Sequence, residues 1–152
     1  MSRVTVTQSI EAHAADVWRL LTDLTVRTRA TRGVEVLTPG GFGPGTAWRE
    51  VRSQPDGSAL IEEFVVVDVE PPRRLVLNSP GAGVDYRVTW TLRPVPRRGR
   101  TMVTVTQEAI ASAPYGRVVA LFLGGLAARV VESALRRDLA DLAAATRAAD
   151  AA

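Results

Sequence analysis

The sequence predicts an α+β domain in which a curved antiparallel sheet wraps around one long C-terminal helix. Three observations predict it. Residues 3–10 alternate apolar Val4, Val6 and Ile10 with polar Thr5, Thr7 and Ser9, the period of two of a half-buried strand. Further alternating segments follow, separated by short turn clusters rich in Gly and Pro, which is the sequence form of an antiparallel meander. From Pro114 nearly to the end, Val119, Leu123, Leu126, Val130, Ala134, Leu135, Leu139 and Leu142 recur at helical spacing.

The elements follow in order. After the first strand, Val17, Trp18, Leu20 and Leu21 mark a short amphipathic helix, with Trp18 as packing. Residues 24–32 are polar and Arg-rich and suit a second short helix or a loop. Strands are expected over 33–38, 46–52, 59–69, 75–78, 86–92 and 102–107, which makes seven with the first. The turns between them are 39–45, Gln54-Pro55-Asp56-Gly57, 70–74, 79–83 and the Arg-rich 94–100. On the last helix, Glu132–Arg136 and Arg137–Asp141 form i,i+4 pairs on the wet face. Gly124-Gly125 weakens that helix and marks a kink or a close approach. The order is β-αα-β6-α, read as a single domain over 1–148 with a disordered tail at 149–152.

Composition excludes several kinds of chemistry. The 152 residues, 46% hydrophobic, suffice for one core. There is no Cys, hence no disulfide or thiolate nucleophile, and one His, His13, leaves little material for a metal site or a Ser/His/Asp triad. All 19 basic residues are Arg, so no lysine amine is present to form a Schiff base. No metal and no cofactor are expected. A net charge of +3, with Arg interleaved among Asp and Glu, is too weak for a nucleic-acid partner. The longest apolar run, 118–128, is shorter than the about 20 residues needed for a membrane span. The N-terminus starts a strand rather than an apolar signal region, so a cytoplasmic location is expected.

Particular residues carry a family resemblance. Ile10 to Trp18 with Leu21 and Asp23, the Gly43-Pro44-Gly45 turn, Val69 to Leu75, Trp90 to Leu92, Thr101 to Thr104 and Leu135 to Leu139 occur in an order and spacing covering almost the whole chain. In these the chain resembles the START-like (SRPBCC, birch-pollen-allergen-like) superfamily, and within it the bacterial polyketide cyclase/dehydrase family. Arg100-Thr101 stands where that family usually has Gly-Thr, a difference in a turn. The resemblance implies a helix-grip fold with a cavity between sheet and last helix. Its members include hydrophobic-ligand carriers, aromatases and cyclases, and ribosome-associated toxin-like proteins, among which fold alone does not choose.

Alternation assigns the cavity wall. Trp48, Glu50 and Arg52 share a face, as do Tyr86, Val88 and Trp90, and Val103, Val105 and Gln107. The expected ligand-binding residues are Trp48, Glu50, Phe64, Tyr86, Val88, Trp90, Val105 and Gln107, with Phe122 and Leu126 from the last helix. The expected partner is a small hydrophobic ligand bearing a hydroxyl or carbonyl, and the assembly is open between a monomer and a homodimer. If the protein is an enzyme, it is a polyketide cyclase/dehydratase-type acid–base catalyst drawing on Glu50, Glu62, Glu63 and Tyr86. Glu62 and Glu63 are adjacent, so one points inward and a bulge would exchange them. The competing role for these carboxylates is pairing with Arg49, Arg52 or Arg87. His13 reads as a solvated turn residue. Arg27, Arg29 and Arg32 fall where this fold usually opens its cavity, as a basic loop or an attractor for an anionic ligand. The Gly40–Gly45 cluster precedes a strand, not a helix, and is not a dinucleotide loop.

Overall fold

The computed structural model describes residues 3–26, 33–53, 56–81, 83–113 and 126–151, with only the backbone described at 126 and 127. Strands β1 (Arg3–Ile10), β2 (Gly33–Val36), β3 (Ala47–Ser53), β4 (Ala59–Glu70), β5 (Arg74–Ser79), β6 (Val84–Val95) and β7 (Arg100–Ala111) form one antiparallel sheet. Its order is β1-β7-β6-β5-β4-β3-β2, so the first strand returns to pair with the last and every other neighbour is a sequential hairpin. Helix α1 (Ala14–Leu21) follows β1, and α2 (Leu126–Asp150) closes the chain. This is the helix-grip arrangement.

Period-two patterning decides which side of the sheet is buried. On β7, Thr101, Val103 and Val105 are buried while Met102, Thr104 and Thr106 are half-exposed, and β6 buries Val88, Trp90 and Leu92 on the same side. The opposite side of β1 and β7 carries threonines, whose hydroxyls pair across the strands at Thr5–Thr106 and Thr7–Thr104. The β-branched residues suit a pleated, half-buried surface, and the alternation fixes their register. Helix α2 covers the buried face along β1 and β7 and touches α1. Its seam runs through Val131, Leu135, Leu139, Leu142 and Ala143.

Two details differ from the sequence reading. Val130, expected in the helix seam, is exposed, and Val131 takes its place, because the four-residue steps 131, 135 and 139 keep one stripe. Helix α2 runs through Ala149 and Asp150, and the Ala151 N–H still bonds the Arg147 carbonyl. Residues 24–26 make one helical turn, closed by Val26 N–H on the Asp23 carbonyl. Arg27, Arg29, Arg32, Phe122, the helix start at Pro114 and the Gly124-Gly125 pair lie outside the described residues, as does the side chain of Leu126.

Candidate ligand site

Cross-strand pairing brings most of the expected wall onto one concave face. Trp48 lies opposite Phe64, Glu50 opposite Glu62, Leu77 opposite Val88, and Trp90 between Leu75 and Val105. Directly paired residues point to the same side of a sheet. Trp48, Glu50, Phe64, Val88, Trp90 and Val105 are all buried, whereas Tyr86 and Gln107 are half-buried toward the other end of β6 and β7. At that end the β5–β6 turn lies against the Tyr86 ring, and Gly81 is confined there: a Cβ on it would strike the Val84 carbonyl and meet Tyr86 Cε2 at 3.4 Å.

An aromatic stack forms one part of the face. The Trp48 ring lies 5.6 Å from Phe64, stacked at 26°, and 6.1 Å from Phe42 at a tilt of 39°. Phe42 comes from the 39–46 loop, which Thr46 holds in shape: its hydroxyl accepts from Gly43 N–H at 3.0 Å and donates to the Gly41 carbonyl at 3.3 Å. Gly40 and Gly45 take positive φ of 94° and 90° in this loop, where L side chains are strained. Strand β3 follows directly, so no helix N-terminus is present for a phosphate.

Beside the stack sits a buried charge network. Glu50 is completely buried. Its Oε1 accepts from Trp48 Nε1 at 2.8 Å, and its Oε2 accepts from Arg52 Nε at 3.1 Å and Arg52 Nη2 at 2.9 Å. The guanidinium then donates through Nη1 to Asp138 Oδ1 on α2 at 2.7 Å, linking sheet to helix. Burial alone would lower the Arg52 pKa. The charges of Asp138 and Glu50, the bond to Asp138 and the charge of Glu62 outweigh burial and raise it, so Arg52 stays a cation.

The adjacent glutamates are resolved by register. Glu62 lies inward opposite Glu50 and is half-buried, while Glu63 lies outward opposite Arg49. Arg49 donates to Glu63 at 2.7 Å and reaches Glu35 at 3.4 Å. A bulge in β4 does occur, between Val66 and Asp68, beyond the two glutamates, so their faces are not exchanged. Glu63 is thereby removed from the candidate acids. His13 is exposed at the start of α1 and makes no side-chain cap.

Two features were missed by sequence reasoning. Asp138, which completes the Arg52 clasp, is a charged residue beside the apolar stripe of α2, three residues after buried Leu135, and that position was its only signal. A cleft of about 370 Å³ opens at the sheet edge between α1 and β2, lined by Arg19, Thr22, Leu24, Val36, Phe42 and Thr46. None of the expected wall residues borders it. Among the described residues no three His, Asp or Glu side chains are grouped to hold a metal, and no helix is long and apolar enough to cross a membrane.

A family model described as polyketide cyclase/dehydrase and lipid transport matches residues 1–147. The chain belongs to that family. Solved structures share the fold. The protein TTHA0849 from Thermus thermophilus is 24% identical with a TM-score of 0.71, over 97% of this chain and 99% of its own. The KanY protein is 20% identical with a TM-score of 0.69, over 96% and 97%. The di-domain ARO/CYC BexL from the BE-7585A biosynthetic pathway is 21% identical with a TM-score of 0.65, over 95% of this chain and 48% of its own, so this chain spans about half of BexL. No curated protein matches the sequence. At these identities the structures establish the shared fold alone.

Proposed function

We propose that this protein binds a small hydrophobic molecule non-covalently in the interior between the concave face and the C-terminal helix. Family membership supports either carriage or cyclisation of such a molecule. The observation that favours binding is the state of Glu50. Three N–H donors already converge on this fully buried carboxylate of the concave face, the arrangement of a fixed carboxylate and not of an acid with a proton to give. The remaining wall is aromatic and aliphatic, suited to burying apolar ligand surface.

Native mass spectrometry of freshly purified protein tests this, followed by titration with medium-chain fatty acids and naphthalene derivatives. A co-purifying small molecule, or saturable one-to-one binding of a panel member, is expected. The absence of both would overturn the reading.

A second reading is an aromatase/cyclase-type enzyme, favoured by Glu62, which is half-buried on the concave face, and by Tyr86 on β6. It requires Glu62→Gln or Tyr86→Phe to abolish turnover of a poly-β-ketone substrate while leaving its binding intact.

A further inference from the structure

The described interior contains one polar group that its own side chains leave unanswered. Trp90 is 3% exposed, and its Nε1 is the one fully buried side-chain nitrogen or oxygen among the described residues without a hydrogen-bond partner. Indole N–H is a donor only, and a buried donor without an acceptor is costly, which is why such groups are rare in folded proteins. Trp48, on the same face, follows the rule by donating to Glu50.

Register explains why Trp90 finds no acceptor among the described residues. Its direct neighbours are Leu75 on β5 and Val105 on β7, and Val88 and Leu92 flank it along its own face. All four are buried hydrocarbon. The carboxylates around Arg52 approach β3, three places away in the sheet order. Gln107, opposite Val88, is a diagonal neighbour within reach of long side chains, yet it accepts no bond from the Trp90 indole.

We propose that the Trp90 indole N–H is a ligand-reading donor, taking a carbonyl or ether oxygen of an otherwise apolar aromatic or alicyclic molecule. The chemistry of the surroundings narrows the class. A lone donor reads one acceptor oxygen. Four hydrocarbon neighbours exclude a carboxylate or phosphate there, since a charge buried without a counter-charge is prohibitive. The ligand is therefore a neutral ketone, ester or ether at that point. This inference rests on the binding reading above and adds the functional group that is recognised.

The test uses two probes of nearly equal shape, 2-acetylnaphthalene and 2-ethylnaphthalene, which differ in the carbonyl oxygen. Dissociation constants for both are measured on the wild type and on Trp90→Phe. The affinity ratio in favour of the acetyl compound is expected to fall about five- to tenfold in the variant, the size of one hydrogen bond. In ¹⁵N-labelled wild-type protein, the Trp90 indole proton is expected to move downfield with the acetyl compound and not with the ethyl compound. This second readout is independent of how the variant folds. Binding of both probes with an unchanged ratio and an unmoved indole proton would overturn the proposal and leave the binding reading standing. An indole proton bonded to an internal water, seen as a water cross-peak that the acetyl compound does not displace, would overturn it equally. Failure of both probes, together with a blank mass-spectrometric panel, would remove the binding reading itself.

Discussion

The two ends of the concave face treat their polar groups in opposite ways. At β3, the Trp48 indole and the Arg52 guanidinium donate to Glu50 and Asp138, and the charges oppose one another. At β6, Trp90 presents an indole N–H to strand neighbours that are all hydrocarbon. The same residue type is thus structural in one place and available in the other. Among the described residues the one fully buried charge, Glu50, is bonded into the clasp that ties α2 to the sheet, and the buried donor without a partner is neutral.

Four measurements break or sharpen that contrast. The largest effect is expected from Arg52→Ala, which leaves Glu50 buried without its cation. Loss of about 3–5 kcal/mol in urea unfolding is expected, and Glu50→Gln combined with Arg52→Met should recover most of it. A cost below about 1 kcal/mol for Arg52→Ala would mean that the network does not hold the helix. Next is Trp48→Phe, which keeps a ring in the Phe42–Phe64 stack but deletes the donor to Glu50. Leaving that acceptor short costs about 1–3 kcal/mol, read from the same unfolding midpoints.

The matched change Trp90→Phe removes a donor that has no partner among the described residues. It is expected to cost less than Trp48→Phe, about 1 kcal/mol, from the change of ring shape. Equal costs would erase the distinction between the two tryptophans. The smallest effect is expected at Asp141. Burial first, then Asp138, raises its carboxyl above the ordinary 3.8, against the opposing pull of Arg52 and Arg137. Ionisation therefore opposes folding as pH rises through the raised value. Asp141→Asn should stabilise the protein at pH 7 by less than about 1 kcal/mol, with the gain vanishing below the ordinary carboxyl value. A gain that grows on acidification would reverse the assignment.

The fold was legible because its signals are local. Alternation in 3–10, 86–92 and 102–107 and the turn residues between strands are decided within a few residues of chain, and the structure follows them. The concave wall was legible for the same reason: Trp48, Glu50, Val88, Trp90 and Val105 share a face by parity. Facts set by distant pairing were not. Which of Glu62 and Glu63 turns inward depended on where β4 bulges, and the bulge falls between Val66 and Asp68. The partner of Arg52 on α2 is 86 residues away, and the position of Asp138 beside the apolar stripe does not say which cation it meets. The apolar setting of the Trp90 indole is likewise a property of four neighbours drawn from three strands.

The most direct measurement is a methyl-resolved NMR titration of the ¹³C-labelled protein with 2-acetylnaphthalene. Interior binding predicts saturable shifts concentrated at Leu77, Val88, Val103 and Val105, with Leu24 and Val36 unmoved. Shifts confined to Leu24 and Val36, which line the cleft at the sheet edge, would place the ligand outside the concave face and contradict it.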